Sequence, residues 1–162
     1  MDYIESEVKR VLMNSSEYIS IVENIKREIK AAQYRAAIHA NVDMLLLYHD
    51  IGCVINNHKS WGNKFIDNLA SDIRMAFPES KGYSVRNLKY MAKFAACFSD
   101  REFVQEALAQ ITWYHHIALM DKLKSADEHI WYTKEAAKNG WSRNVLVHQI
   151  ESGLYQRQVL VD

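Results

Sequence analysis

The sequence predicts an all-α protein, and three observations predict it. Its 162 residues hold one proline, Pro78, and five glycines, too few to turn a multi-stranded sheet every ~8–12 residues. No stretch of β-branched residues alternates with period 2. Apolar residues recur instead at i, i+3 and i+4 almost throughout. The expected architecture is a long central helix followed by two helix-turn-helix-like units.

Ser15 or Ser16 can cap a helix whose Tyr18, Ile21, Val22, Ile25 and Ile29 form an apolar stripe. No stop signal follows before Asn56-Asn57-His58-Lys59-Ser60. A single helix over about 17–57 is therefore expected, with residues 1–16 as an N-terminal extension. Between Val42 and Ile55 this helix is apolar on more than one face, which suits a helix central to a core or shared with another subunit. A further segment, Asn63 to Phe77, places Phe65, Ile66, Leu69 and Ile73 at helical spacing, and Pro78 ends it.

After the short turn Glu79–Tyr83, Ser84 caps a helix through Phe98. Ser99-Asp100-Arg101-Glu102 has the spacing of a capping box and opens a short helix to about Leu108. Thr112 starts another that ends near Leu123. Ser125-Ala126-Asp127-Glu128 repeats the capping-box spacing, and its helix closes at Gly140. Ser142 caps the last helix. The strings Gly82-Tyr83-Ser84 and Gly140-Trp141-Ser142 are each followed by an Arg-Asn pair. The two helix-turn-helix-like units are therefore placed at 63–98 and 126–157, with 158–162 as a tail.

Twenty Lys and Arg balance twenty Asp and Glu, so whole-protein attraction to nucleic acid or membrane is excluded and any such binding needs a local patch. The longest apolar run, Met44–Tyr48, falls far short of the ~20 residues that cross a bilayer. Two cysteines, Cys53 and Cys97, cannot build a disulfide framework, and the acidic start lacks the basic region of a signal peptide. A cytoplasmic protein without membrane attachment is expected.

Several motifs resemble one family. Gly82-Tyr83-Ser84-Val85-Arg86-Asn87-Leu88-Lys89-Tyr90-Met91-Ala92-Lys93-Phe94 resembles the G-[FY]-S-x-R-N-L-x-x-M-x-x-F signature of the N-terminal domain of YhcG-like proteins. Leu47-Tyr48-His49-Asp50-Ile51-Gly52 is similar to that family's L-Y-W-x-I-G, with His49 in place of the usual Trp. Trp61-Gly62 and Phe77-Pro78 follow in order. Gln110-Ile111-Thr112-Trp113-Tyr114-His115 resembles Q-[LI]-x-W-x-H, with Thr112 where Pro is common. Gly140-Trp141-Ser142-Arg143 through Gln149-Ile150-Glu151 resembles G-W-S-R-x-x-L-x-x-Q-I-E. The resemblance spans residues 20–157. It implies a helical domain that in longer relatives precedes a nuclease domain of the PD-(D/E)XK class, a domain expected to be lacking here.

A PD-(D/E)XK site needs an Asp and a Glu-x-Lys on adjacent strands to hold Mg²⁺ and position water. Glu7-Val8-Lys9 and Glu28-Ile29-Lys30 supply the triplet only in helical pattern, so neither is read as catalytic and no enzyme activity is assigned. Seven histidines invite a metal site. His49 and Cys53 share a helix face but need ligands from elsewhere, and the adjacent His115 and His116 point about 100° apart. No metal or cofactor is expected. Trp61, Trp113, Trp131 and Trp141 lie near helix starts and read as packing residues, with Trp113 and a neighbouring histidine forming a buried hydrogen-bonded junction.

On the helix after Ser84, Leu88, Met91, Ala92, Ala95 and Phe98 face one way while Arg86, Lys89 and Lys93 face the other, with Lys81 just before them. This is the one local concentration of positive charge. Arg86 and Asn87 suit base edges, and Lys89 and Lys93 suit phosphates. The plain alternative is a solvated helix face, with Arg86 and Asn87 tying the turn together. The leading expectation is a non-catalytic, helix-turn-helix-like DNA-binding module acting through Lys81, Arg86, Asn87, Lys89 and Lys93. The rival is an oligomerisation or partner-docking module, with the 42–55 helix as its sticky surface. A homo-oligomer formed through that helix is compatible with either.

Overall fold

The computed structural model describes residues 2–13 and 15–161, and every regular element among them is helical. Helix α1 spans Asp2–Met13, within the stretch expected to be a plain extension, and α2 runs unbroken over Ser16–Asn57. A 3-10 turn at Lys59–Trp61 leads into α3 (Gly62–Ala76), followed by α4 (Val85–Cys97). Helix α5 (Arg101–Phe103) continues as a π-helical turn over Val104–Leu108. Then come α6 (Trp113–Lys122), α7 (Ala126–Asn139), α8 (Arg143–Glu151) and α9 (Leu154–Gln158). Among the described residues no helix is long and apolar enough to cross a membrane.

Local chemistry sets most of these boundaries. The hydroxyls of Ser84, Thr112, Ser125 and Ser142 accept the backbone N–H groups of Asn87, His115, Glu128 and Val145, satisfying donors that a helix start leaves orphaned. Phe77 sits at φ −132°, ψ 68°, outside the helical region as a residue before proline must be. Gly140 takes φ 65°, and the Trp141 N–H returns to the Ala136 carbonyl to close α7. One cap differs from expectation. Asp100 rather than Ser99 starts α5, because the helix begins at Arg101 and the adjacent carboxylate accepts from both Glu102 and Phe103.

The two tight junctions are not alike. Eight residues, 77–84, separate α3 from α4, whereas only 140–142 separate α7 from α8. A helix-turn-helix turn has about 3–4 residues, so that grammar fits the second unit and not the first.

The described residues form two compact units that divide inside α2, between Ala40 and Asn41. In the first, Tyr18, Ile21, Ile25 and Ile29 are exposed. In the second, Leu45, Tyr48 and Ile55 of α2 pack with Leu88, Met91 and Phe94 of α4 and with Val104, Leu108 and Trp113. A smaller cluster joins Leu119, Tyr132, Ala136 and Leu146. The 42–55 segment, offered by the sequence as a subunit surface, is largely occupied by its own chain. Leu45, Leu46, Tyr48, His49, Gly52 and Ile55 are buried, leaving Leu47 and Val54 exposed. Gly52 makes that packing possible: a Cβ there would land on the Met91 carbonyl and the Ala95 methyl.

Buried histidines close helix ends. His49 Nε2 donates to the Phe98 carbonyl at the end of α4, and His115 Nε2 to the Trp141 carbonyl at 2.8 Å. His116 Nε2 donates to the Leu108 carbonyl, where the π turn ends, at 2.7 Å. His116 Nδ1 must then accept, and the His129 Nε2–H supplies its proton at 2.9 Å. Burial pushes His116 down to about 4 and holds His129 well below the ordinary imidazole value, the neighbouring rings adding to both and the Lys93 charge to His129. Of the tryptophans, Trp113 is buried, but Trp61 is 59% exposed, its ring resting against His58 and Phe65 at the start of α3.

Candidate nucleic-acid interface

Helix α4 is held by its apolar side. Leu88, Met91 and Phe94 are fully buried, and the Asn56 amide of α2 donates to the Ala92 carbonyl at 2.8 Å. The opposite side is thereby fixed outward as a rigid row. Arg86, Lys89 and Lys93 are all exposed and lie at i, i+3 and i+7, on the same side as Tyr90. From Arg86 to Lys93 the row covers about 10 Å at ~1.5 Å per residue.

The charges of this row are open. Among the described residues, the ion pairs are Lys26–Glu23, Arg101–Asp50 and Lys122–Glu151, so none involves Arg86, Lys89, Lys93 or Lys81. The Arg86 guanidinium lies 5.4 Å from the centre of the Tyr90 ring and reaches its hydroxyl at 3.4 Å. That hydroxyl donates to Asp121 at 2.6 Å, which orients the ring beneath the guanidinium. The Lys93 ammonium donates to the Met120 carbonyl at 3.0 Å, anchoring the far end of the row to α6 while the side chain remains exposed. Lys81 is exposed in the connection before α4.

Asn87 belongs to the scaffold of this face. Its Nδ2 donates to the Gly82 carbonyl, and its Oδ1 accepts the indole N–H of Trp113 at 2.7 Å. With both ends of the amide occupied, it lacks the free pair of groups that reading adenine requires. The sequence read Trp113 as one half of a buried junction, and the structure gives it Asn87 as partner, while His115 bonds Trp141. Tyr90 was missed; its position four residues after Arg86 was the available signal.

The helix-turn-helix-like unit at 126–157 presents a weaker surface than α4. Arg143, Asn144 and His148 are exposed on α8, but Glu151 shares that helix and pairs with Lys122 at 2.9 Å. Both Glu-x-Lys triplets lie in helices, one in α1 and one in α2. Among the described residues no group of three or more His, Cys, Asp or Glu is arranged to hold a metal ion.

A family model described as the DUF1016 N-terminal domain matches residues 24–157. No curated protein and no solved structure matches the chain.

Proposed function

The chain belongs to the DUF1016 N-terminal domain family, the N-terminal domain of YhcG-like proteins, and from that premise we propose that it is a non-catalytic module that grips DNA. The observation that carries this reading is the outward row Arg86–Lys89–Lys93 on α4, with Lys81 beside it and no carboxylate partner among the described residues. In a chain of zero formal charge, an exposed basic row without a carboxylate partner among the described residues is a local site for a polyanion. The motif resemblance, which implies a nuclease domain after this one in longer relatives, supports the same reading. Asn87 positions the row and does not read bases. Fluorescence anisotropy with a labelled duplex tests this: affinity falls linearly in log[salt]. Absence of binding to any duplex at low salt removes the reading.

A second reading has its own observation, in the first unit. Tyr18, Val22, Ile25, Ile29, Ala32 and Ala36 follow one another by alternating steps of four and three, and all but Val22 are exposed. That is the seam of a two-stranded coiled coil, and the partner it fits is the same segment of a second copy. Sedimentation equilibrium at high micromolar concentration would show a dimer that Ile25→Asp dissolves; a monomer throughout would remove this reading.

A further inference from the structure

Beside the basic row lies a cavity of about 390 Å³, bounded by the C-terminal half of α2, the start of α4 and α6. That volume falls in the ~300–1,000 Å³ range of small-ligand sites. Lys81 and Arg86 are among its lining residues, and no Asp or Glu is. Its chemistry thus favours an anion at the mouth. Further in, Met44, Ile117 and Trp113 give it apolar walls, and Tyr114, 69% exposed, stands in the lining with a largely uncovered ring.

Tyr48 marks the inner end. The residue is only 5% exposed and lines the cavity, yet its hydroxyl has no hydrogen-bond partner among the described residues. Among the described residues no buried side-chain N or O lacks a partner, so this hydroxyl opens on the cavity and is free to donate to a group that enters it. Burial, with the Tyr83 and Tyr114 phenols nearby, raises its pKa above the usual tyrosine value, so at neutral pH it keeps its proton and can donate. Gly82 adjoins it at φ 105°, and a Cβ at that position would stand 2.7 Å from the Tyr48 oxygen. A side chain at position 82 would therefore close on this hydroxyl.

We propose that the cavity receives one unpaired nucleotide. The base enters between the apolar walls and stacks against Tyr114, the Tyr48 hydroxyl donates to an acceptor on the base edge, and Lys81 and Arg86 hold the phosphate at the mouth. Extruded bases are bound in this manner, by stacking and edge hydrogen bonds within a pocket. As applied to a DNA strand, the assignment rests on the nucleic-acid reading above and refines it. The chain would prefer duplexes in which one nucleotide is already out of the stack.

The test compares three probes: a fully paired labelled duplex, the same duplex with one bulged nucleotide, and free nucleoside 5′-monophosphates, each base taken in turn. The bulged duplex is expected to bind at least tenfold tighter than the paired one. Tyr114→Ala and Tyr48→Phe, each checked for an unchanged melting temperature, are expected to erase that preference while leaving paired-duplex affinity as it was. Equal binding of paired and bulged duplexes, with Lys89→Ala weakening both, overturns the pocket assignment and leaves the basic-row reading standing. Monophosphate quenching of tryptophan emission that Tyr48→Phe abolishes, without binding of either duplex, supports the cavity as a free-nucleotide site and overturns the DNA reading. No response to any probe overturns both.

Discussion

The carboxamide of Asn87 and the indole of Trp113, 26 residues apart in sequence, meet at 2.7 Å in the core of the second unit. The same amide holds the Gly82 carbonyl, so one side chain joins the turn before α4 to the first turn of α6. Asn87→Ala would leave the Trp113 N–H and the Gly82 carbonyl unmet, and a loss of about 1–3 kcal/mol in urea unfolding is expected. Because the amide carries no charge, the slope of DNA affinity against salt should not change. A reduced slope in a fully folded variant would place Asn87 back among the contact residues.

Lys89 has neither an ion pair nor a hydrogen bond to another described residue, which makes it the cleanest probe of the basic row. Lys89→Ala is expected to lower the salt slope by about 0.9 with little change in stability. Lys93→Ala should lower the slope and also reduce stability, since the Met120 carbonyl loses its donor. Identical slopes in wild type and Lys89→Ala would show that this residue meets no phosphate.

At Gly52, α4 packs directly on α2, and the space a Cβ would need is taken by the Met91 carbonyl and the Ala95 methyl. Gly52→Ala is expected to destabilise by about 1–3 kcal/mol through overpacking, although alanine is the better helix former. Chemical denaturation decides this, and a stabilised variant would mean that the two helices part without loss.

The His116–His129 pair makes stability pH-dependent. Both imidazoles are held below their ordinary pKa, with His116 at about 4, so the unfolded chain binds protons that the folded chain refuses. Stability is therefore full above pH ~6.5 and falls as the pH drops from there toward 4. Unfolding curves between pH 6.5 and 5, above the range where carboxylates titrate, isolate this contribution. Replacing both histidines by glutamine should flatten the curve there. Lys93→Met should shift the onset of His129 protonation in the folded state upward, because its charge helps keep that ring neutral.

How much of this was legible beforehand varied with the range of each interaction. Ser84, Thr112, Ser125, Ser142, Pro78 and Gly140 mark their boundaries because a cap or a stop acts on backbone groups within four residues. The outward placement of Arg86, Lys89 and Lys93 followed from helical periodicity in the same way. The π turn at Val104–Leu108 escaped, since its freed carbonyl is answered by His116, and nothing within that segment announces the partner. Tyr90 was signalled only by its place four residues after Arg86, and that spacing alone does not say that the ring supports the cation.

By itself, then, the sequence determined the helical class, the order and limits of most helices and the family motifs, all of which depend on spacing along one chain segment. Tertiary structure alone decided that the 42–55 helix serves its own core, that Asn87 belongs to Trp113, and that Tyr48, Gly82 and Tyr114 surround one cavity. The physical reason is that helix periodicity states which residues share a face, whereas the partner of that face is chosen by shape and hydrogen-bond satisfaction among helices distant in sequence.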